Sequence, residues 1–342
     1  MRKIASEIQQ RTKEYTRSPE PLSIAPKVSV VVLSYNHAEY IQESLLSILN
    51  QETKFTFEII VCDDASSDST AEIIQSLCQK HQNIRFYQGS RANNIQIIDR
   101  PSGRYNAFKG IELAQGEYLS WMDGDDYWVD RLKLQKQVDA LENNCNWSGC
   151  FTLGNLVFAD GTEKGVWHPT QAVFDATACL EILISRELAS SRMFRTKFFK
   201  GPVPEWLITS FSDQHMDLWS AINGPIGWIN DKTTHYRIHE RGIFQGANTD
   251  FRNQLAFYRT EQLLKHGQNE SWLSQHHLLR MFKSFVKSFE HLAIRETFSG
   301  PSYSLIFSFG AFSILSLKNK IAILTYFSFK KIQWSFKPFS KK

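Results

Sequence analysis

The sequence predicts an α/β protein built around a mostly parallel central sheet flanked by helices. Two observations carry this prediction. Short, continuous β-branched runs of the kind found in buried parallel strands recur along the first part of the chain. Segments with apolar residues at helical spacing lie between them, as they do in right-handed βαβ units. With 342 residues, 42% of them hydrophobic and 22% charged, the chain has ordinary globular composition and can bury a large core.

The first part of the chain is predicted to alternate between strand and helix. The expected order is a strand at 27–36, a helix at 37–50, a strand at 57–64, a helix at 67–81, a strand at 84–88, a helix at 105–114 and a strand at 116–123. The later part breaks this alternation. It predicts an amphipathic helix at 131–144, a hairpin turning at Asp160-Gly161, a helix at 176–185, a strand at 191–195, a helix at 213–222, a strand at 225–231 and a helical pattern beyond Asn248.

The positive charge of the chain is concentrated in its last segment. The net charge of +4 gives no reason to expect nucleic acid as a partner. Residues 297–342 contain seven lysines and no acidic residue, so the rest of the chain is slightly acidic. Five cysteines without a CxxC pair favour a reducing cytosol, and no signal peptide is visible at the N-terminus.

The stretch SWMDGDDYW contains three aspartates among apolar and aromatic residues: Asp123, Asp125 and Asp126. One interpretation is a solvated turn after a strand, because Asp-Gly is common in turns. Two other predicted strands also end in polar residues, at Ser34-Tyr35-Asn36 and at Asp63-Asp64. The carboxyl ends of parallel strands meet at one edge of an open sheet, where ligands bind. Three such strand ends favour a binding site over a solvated turn.

Aspartates gathered at one point repel one another unless a cation lies among them. Oxygen ligands without a nearby Cys or His cluster favour Mg²⁺ or Mn²⁺ over zinc. An ion held by one or two carboxylates completes its shell with water and substrate phosphates, so a nucleoside diphosphate is the predicted partner. A tyrosine ring at a strand end can stack on its base. The chain has neither a P-loop nor a GxGxxG sequence, so those two modes of nucleotide binding are not indicated.

Three segments resemble the GT-A domain of bacterial family 2 glycosyltransferases: VVLSYNHAEYIQESLLSILNQ, VCDDASSDSTAEII and GEYLSWMDGDDYWVDRLKLQKQVDAL. They occur in the family's order within residues 27–245, and the block GDDYWxDxLKLQKQV is highly specific. The resemblance implies the GT-A fold. It also implies an inverting transferase that moves a sugar from a nucleoside-diphosphate donor, usually a UDP-sugar, to an acceptor hydroxyl.

The resemblance assigns the nucleotide site position by position. The end of the first strand, Ser34, Tyr35 and Asn36, would lie at the nucleotide. Asp63 would accept a hydrogen bond from the N3–H of the base, with Asp64 beside it. These residues come from two neighbouring predicted strands.

The resemblance also assigns the sugar and metal positions. Asp123 and Asp125 form the family's D-x-D sequence, with Asp125 as a metal ligand and Asp123 near the ribose or the metal. Asp126 would contact the sugar or support the metal ligands. In GRYNAFKG, Arg104 and Asn106 align with a stretch that lines the donor pocket, although this segment departs from the commonest form of the motif.

Inverting transfer needs a base for the acceptor proton. The family keeps an acid at the start of a helix after the sugar-binding region, and Asp213 matches that position. Asp217, one helical turn later, is the rival candidate, and a helix cap is the structural alternative for Asp213. YRIHERG resembles the family's YRxH segment, in which Arg237 and His239 would neutralise the leaving UDP.

The predicted function is transfer of a sugar to a glycan or lipid-linked acceptor during synthesis of a surface polysaccharide or lipopolysaccharide. One alternative is a catalytically inactive scaffold that binds the nucleotide sugar in a glycan assembly complex. The presence of all the expected acids argues against it. A second alternative is a sugar nucleotidyltransferase, but SYNHAEYIQES lacks the glycine-rich loop with Arg and Lys that such an enzyme would need.

The predicted organisation has four parts: a polar leader at 1–26, the GT-A domain at 27–245, a helical extension at 246–296 and a basic aromatic tail at 297–342. The tail combines an uncharged stretch at 301–317 with interleaved aromatics and lysines, which is typical of a segment in the headgroup region of an anionic membrane. Amphipathic helices packed on the protein are the alternative. The predicted location is the cytoplasm, peripheral on the cytoplasmic face of the inner membrane.

Overall fold

The computed structural model describes most of the first 242 residues, namely 13–14, 25–89, 96–97, 100–101, 103–158, 160–164, 172–176, 178–179, 190–202, 204–210 and 212–242. The chain divides into two compact units, residues 1–204 with 212–247 and residues 205–211 with 248–342. The predicted helical extension and basic aromatic tail lie outside the described residues, as does most of the predicted helix at 176–185.

Thirteen strands occur within the described residues: β1 (Lys13–Glu14), β2 (Val28–Ser34), β3 (Phe57–Asp63), β4 (Ile84–Gln88), β5 (Gln96–Ile97), β6 (Arg100–Pro101), β7 (Tyr118–Asp123), β8 (Tyr127–Trp128), β9 (Gly149–Phe158), β10 (Glu163–Lys164), β11 (Val173–Phe174), β12 (Ser190–Arg195) and β13 (Ile226–Ile238). Helices in the same ranges are α1 (Ile41–Leu49), α2 (Thr70–Lys80), α3 (Arg104–Leu113), α4 (Lys133–Asn143), α5 (Lys197–Lys200), α6 (Glu205–Ser210) and α7 (Asp213–Ile222). None of these described helices is long and apolar enough to cross a membrane. Helix α6 belongs to the second unit, and the other elements belong to the first.

An eleven-stranded mixed sheet runs through the first unit in the order β1-β4-β3-β2-β7-β12-β9-β13-β11, with β10 paired to β9 and β8 paired to β13. Strands β4, β3, β2 and β7 are parallel, and they are the four strands that the β-branched and apolar runs predict. Strand β12 is antiparallel to both of its neighbours, β7 and β9. The predicted α/β class, with a central sheet and flanking helices, is confirmed.

The parallel strands form where continuous apolar runs can be covered on both faces. Val30, Val32, Ile59 and Val61 have no exposed surface, as expected for strands buried between two layers of helices. Helix α1 presents a buried stripe at helical spacing that packs on this core, formed by Ile41, Ser44, Leu45 and Ile48. This packing fixes the carboxyl ends of β2, β3 and β7 along one edge.

Strand β13 is longer than the prediction at 225–231 and continues to Ile238. Its second half is polar and irregular, with register shifts against β9 on either side of Lys232, so the apolar pattern ends before the strand does. Strands β8 and β11 have two residues each and are set by their pairing with β13 rather than by a pattern of their own. The extension of β13 carries Arg237 to the carboxyl edge of the sheet.

Candidate active site

The Asp-Gly-Asp-Asp turn that follows β7 is pressed against the end of β2. The Gly124 N–H donates to the Leu33 carbonyl oxygen at 2.7 Å. A Cβ atom at Gly124 would lie 2.9 Å from that oxygen and 3.0 Å from Nδ1 of His37, which leaves no room for a side chain. Glycine between the two aspartates therefore lets the turn close onto β2, and it fixes Asp123 and Asp125 at the carboxyl edge of the sheet.

The aspartates of this turn are largely withdrawn from solvent. Only 7% of Asp126 is exposed, and the side chain of Asp125 is 17% exposed. Burial, together with the charges of Asp213 and Asp125, raises the pKa of Asp123 well above its ordinary value. Burial and the charges of Asp125 and Asp123 raise the pKa of Asp126 in the same way. The interpretation as a solvated turn is wrong, because Asp126 is buried, Asp123 and Asp125 are only partly exposed, and the three carboxyl groups act on one another.

Two histidines face Asp125. Nε2 of His239 lies 3.1 Å from Oδ2 of Asp125, and Nε2 of His37 lies 3.6 Å from the same oxygen. Burial opposes the ionisation of Asp125, but the hydrogen bond with His239 and the charge of His37 outweigh it and lower the pKa of this carboxyl group. The pKa of Asp125 is therefore shifted in the opposite direction from the pKa values of its two neighbours in the turn.

Strand β13 brings Arg237 to the same turn. Its backbone N–H donates to Oδ1 of Asp126 at 3.0 Å, and its Nη1 donates to the Asp125 carbonyl oxygen at 2.9 Å. Nη2 forms an ion pair with Glu43 of α1. The two basic residues that the YRxH resemblance assigns, Arg237 and His239, both contact the Asp-Gly-Asp-Asp turn.

Asp63 ends β3 and has no exposed surface. Its Oδ1 accepts a hydrogen bond from the Ser34 hydroxyl at 2.8 Å. Its Oδ2 accepts from the Ser66 N–H at 2.8 Å and from the Gln88 side-chain amide at 3.2 Å. The protein itself fixes the orientation of this carboxylate, so a base N3–H at the site would share its oxygens with these donors.

The loops after β2 and β3 are hydrogen-bonded to each other. Oδ1 of Asn36 accepts from the Ser67 N–H at 2.8 Å, and the Asn36 N–H donates to the Ser66 hydroxyl at 2.8 Å. Nδ2 of Asn106 donates to Oδ1 of Asp64 at 3.3 Å. The structure thus brings together five of the residues assigned to the donor site: Ser34, Asn36, Asp63, Asp64 and Asn106.

The nucleotide-side loops and the Asp-Gly-Asp-Asp turn adjoin at His37. Burial lowers the pKa of His37, while the charges of Asp125 and Asp63 act on the imidazole in the opposite sense. Tyr35, in the loop after β2, is half-buried. Arg104 is the first residue of α3, and its side chain lies outside the described part of the structure.

Asp213 is the first residue of α7, and Ser212 occupies the N-cap position. The alternative that Asp213 is the helix cap is therefore wrong. The Asp213 side chain is 53% exposed, and its Oδ2 lies 3.5 Å from Nη1 of Arg192. Asp217 is largely buried, and both of its carboxylate oxygens accept from Nε of Arg192, at 2.8 and 2.9 Å. Of the two candidate bases, Asp213 has the accessible carboxylate.

Arg192, like His37, belongs to this site but was not predicted from the sequence. It lies on β12, directly beside β7, and is only 5% exposed. Burial acts to lower the pKa of its guanidinium, but the charges of Asp217 and Asp213 outweigh burial and raise it. The available signal was a charged residue within the strand SSRMFR, which is costly to bury unless acidic partners surround it.

The mixed sheet, with an antiparallel strand beside β7 and acids along one edge, defines the GT-A class of glycosyltransferases. A crystal structure of residues 1–349 of S. aureus TarS has a TM-score of 0.57 to this chain, covers 86% of it and 82% of TarS, and is 16% identical. A crystal structure of the same TarS fragment in complex with UDP-GlcNAc also has a TM-score of 0.57, at 17% identity and the same coverage.

Residues 29–200 match the family model described as glycosyl transferase family 2. The chain belongs to this family, and the resemblance noted from its sequence is confirmed. An uncharacterized protein of Mycobacterium tuberculosis is 32% identical over 228 residues, which cover 66% of this chain and 62% of that protein. TuaG of Bacillus subtilis, a putative teichuronic acid biosynthesis glycosyltransferase, is 33% identical over 47% of this chain and 63% of TuaG. The chain thus spans less than two thirds of the length of these relatives.

Proposed function

We propose that this chain is an inverting, metal-dependent glycosyltransferase that moves a sugar from a UDP-sugar to a hydroxyl of a glycan or lipid-linked acceptor. One observation carries the proposal. Asp213 of α7 lies 3.5 Å from Arg192 of β12, the strand beside β7, and the charges of Asp213 and Asp125 both act on Asp123 at the end of β7. This supports one site for the D-x-D carboxylates and the accessible carboxylate of α7. Metal binding, diphosphate binding and proton removal would then occur at one place.

The donor nucleotide would lie across the loops after β2 and β3. Tyr35 would stack on the base, and Asp63 would accept the base N3–H while keeping its hydrogen bond from Ser34. Arg104 and Asn106 would line the donor pocket beside these loops. TarS, which shares the fold, has been crystallised with UDP and with UDP-GlcNAc, which supports a uridine nucleotide as the donor.

The residues present fit a divalent ion. The pKa of Asp125 is lowered, and a cation beside Asp123 would oppose the neighbouring acids that raise the pKa of that carboxyl group. Carboxylate oxygens are the ligands that Mg²⁺ and Mn²⁺ prefer. Within the described ranges no group of three His, Cys, Asp or Glu side chains is placed to hold a metal ion, so the proposed ion would need further ligands from water and donor phosphates. Such an ion would neutralise charge on the diphosphate.

Asp213 would act as the general base. The acceptor oxygen would attack the anomeric carbon in line, forming the new C–O bond as the C–O bond to the diphosphate breaks. The acceptor proton would pass to the Asp213 carboxylate, and the electron pair of the breaking bond would leave with UDP. Asp213 is half exposed and can meet an acceptor, whereas Asp217 is turned toward Arg192.

Arg237 and His239 would act on the leaving group through the turn that they contact. Both lie beside Asp125, so Arg237 would add positive charge next to the position proposed for the metal and the diphosphate, and the His239 imidazole would adjoin the same position. Asp126 accepts a hydrogen bond from the Arg237 backbone N–H. This bond would hold the Asp-Gly-Asp-Asp turn in place next to the donor sugar. Charge-assisted contacts of this kind stabilise a departing phosphate more than neutral ones do.

The acceptor would belong to a surface polysaccharide. TuaG, one of the relatives, is a putative teichuronic acid biosynthesis glycosyltransferase, which supports this class of product. The tail at 297–342 would hold the enzyme on the anionic cytoplasmic face of the membrane, where a lipid-linked acceptor lies. Liposome flotation of the full chain and of a chain ending at residue 296 tests this part. Equal flotation would show that the tail does not bind the membrane.

The proposed function is tested by donor binding followed by turnover. A panel of sugar nucleotides is screened by thermal shift with Mn²⁺, because a bound ligand raises the melting temperature. The donor found is then used to compare the wild type with Asp213→Asn, which should lose about 10²- to 10⁴-fold in turnover while keeping the donor-induced shift. Asp139→Asn, which changes an exposed aspartate of α4, is the matched control and should retain the wild-type rate.

Two outcomes would count against the proposed function. If no sugar nucleotide raises the melting temperature in the presence of Mn²⁺, the chain does not bind the proposed class of donor. If Asp213→Asn turns over at the wild-type rate, Asp213 is not the base.

A further inference from the structure

Strand β12 carries two arginines with different partners. Arg195 donates from Nε to the Trp147 carbonyl oxygen and from Nη2 to the Leu141 carbonyl oxygen, both at 2.7 Å. These bonds tie the strand to the C-terminal end of α4, which is a structural role. Arg192, three residues earlier, points to carboxylates instead. The two arginines therefore form a natural pair for comparison.

Arg192 links strand β7 to helix α7. Its carbonyl oxygen accepts from the hydroxyl of Ser120, which lies on β7 three residues before Asp123. Its guanidinium reaches the first two turns of α7, where Nε donates to Asp217 and Nη1 lies 3.5 Å from Asp213. The charge of Asp123 also acts on this guanidinium. The buried Arg192 guanidinium thus forms ion pairs with two acids of α7 and also interacts electrostatically with Asp123 of the Asp-Gly-Asp-Asp turn.

The two contacts of Arg192 on α7 differ in strength. Asp217 is largely shielded from solvent and accepts hydrogen bonds of 2.8 and 2.9 Å from Nε of Arg192. Such charge-assisted bonds fix the plane of the guanidinium. Asp213 takes a single, longer ion pair and remains half exposed. Asp217 therefore orients Arg192, and Arg192 restrains Asp213 through its ion pair. Loss of that cation would remove the ion pair and let the half-exposed Asp213 carboxylate turn toward solvent.

We propose that Arg192 is a positioning residue for the base: it holds the Asp213 carboxylate in the orientation that accepts the acceptor proton, and Asp217 holds Arg192 in place. The inference rests on the proposed function, because it requires Asp213 to be the base. Arg192 would affect turnover only by positioning Asp213. Arg192 would not bind the donor directly.

A double-mutant cycle tests this inference. Arg192→Gln, Asp213→Asn and the combined variant are compared with the wild type, using the donor identified by the thermal-shift panel. Arg192→Gln should lower kcat by about 10²-fold, since a displaced catalytic group costs on that order, and should change the KM for the donor less than threefold. Adding Arg192→Gln to Asp213→Asn should cause no further loss, because the two residues act as one unit.

Three further variants guard against a loss caused by misfolding. Arg192→Lys keeps a cation beside Asp217 but cannot bridge both carboxylates, so it should fold and still lose turnover. Arg192→Gln combined with Asp217→Asn removes the uncompensated buried carboxylate and should behave like Arg192→Gln alone. Arg195→Gln is the matched control on the same strand: it should lose stability yet keep the wild-type kcat. For every variant, binding of UDP with Mn²⁺ by calorimetry shows that the site is folded.

The outcomes separate the inference from the proposed function. If Arg192→Gln binds UDP with Mn²⁺ and keeps kcat within threefold of the wild type, or if its loss adds in full to that of Asp213→Asn, the positioning role is wrong while the base assignment stands. If Asp213→Asn alone keeps the wild-type kcat, the base assignment fails, and the inference fails with it.

Discussion

The two ends of the parallel strands both bury charged side chains, but they balance charge in different ways. At the amino end, Glu58 is 1% exposed and accepts three hydrogen bonds. The donors are the Ser29 hydroxyl at 2.6 Å, the Gln115 N–H at 2.8 Å and Nη1 of Arg85 at 2.9 Å. One acid thus meets one arginine and two neutral donors, all supplied by the chain.

At the carboxyl end the acids are crowded instead. Asp123, Asp125 and Asp126 occupy one turn, with Asp213 close by, and the pKa of Asp123 rises because of burial and these neighbours. Arg192 is shared between Asp213 and Asp217, and the pKa values of Asp123 and Asp126 remain raised by burial and by the neighbouring acids. The difference shows how to distinguish a structural acid from a functional one. A structural acid is satisfied within the fold, whereas a functional group of acids is completed by a ligand.

The largest effect should follow from changing the crowded end. Asp123→Asn removes a carboxyl group whose charged form the fold disfavours, so the melting temperature without metal should rise. The same change removes a proposed metal ligand, so turnover should fall by about 10²-fold or more. Differential scanning fluorimetry and UDP release measure the two effects. A variant that is less stable and fully active would contradict the comparison.

The balanced end should respond in the opposite way. Glu58→Gln leaves the Arg85 guanidinium without its carboxylate, which should lower the free energy of unfolding by about 3 kcal/mol. Turnover per folded molecule should stay at the wild-type level, since Glu58 lies at the far end of the strand from the candidate site. Urea denaturation checks the stability. Glu142→Gln, which breaks a half-exposed pair with Lys27, is the control and should cost less than about 1 kcal/mol.

A buried lysine between the two ends should make stability depend on pH. Lys133 has no exposed surface, and its Nζ donates to Gln137 at 2.7 Å and lies 3.8 Å from the centroid of the Trp128 ring. Burial lowers the pKa of Lys133 from 10.5 to about 7. Between these values the unfolded chain binds a proton that the folded chain does not, so the free energy of unfolding should rise with pH, by at most about 1.4 kcal/mol per pH unit.

Lys133→Met should remove that pH dependence. Urea denaturation at pH 7, 8 and 9 should show a rising stability for the wild type and a flatter profile for the variant. Lys136→Met, on the same helix but partly exposed and paired with Asp130 and Asp231, should keep the wild-type slope. Equal slopes for the wild type and Lys133→Met would show that Lys133 remains protonated in the folded protein throughout this range.

The smallest effect should come from backbone strain at the crowded end. Ala65, in the loop after Asp63 and Asp64, has a φ of +55°, which glycine adopts more easily than alanine. Ala65→Gly should raise the free energy of unfolding by about 0.5 kcal/mol, the balance of relieved strain against greater freedom of the unfolded chain. Thermal unfolding measures it. A loss of stability would show that the loop tolerates this conformation without strain.

The sequence predicted the parallel half of the sheet and the three polar strand ends. These followed from local patterns, since β-branched runs mark buried strands and the Asp-Gly-Asp-Asp turn stands out among apolar residues. The second half of β13 was not predicted, because its polar residues lack an alternating apolar face and its register shifts against β9. The end of β13 is determined by its pairing with β9, and the local sequence pattern does not indicate that pairing.

The long-range contacts of the site were also out of reach of the sequence. The pairing of Arg192 with Asp217 and Asp213 joins a strand to a helix about twenty residues away. The position of His37 beside Asp125 depends on how the turn after β7 closes on β2. The resemblance to family 2 indicated Asp213, Arg237 and His239, but it did not indicate which residues orient them.

Binding of UDP in the presence and absence of Mn²⁺ tests the central claim most directly. By calorimetry the wild type should bind UDP with Mn²⁺ at least about tenfold more tightly than in EDTA, because the ion joins the carboxylates to the diphosphate. Asp125→Asn should lose this difference, and Glu58→Gln should keep it at temperatures where it is folded. Equal affinity of the wild type with Mn²⁺ and with EDTA, or an unchanged metal effect in Asp125→Asn, would contradict the account.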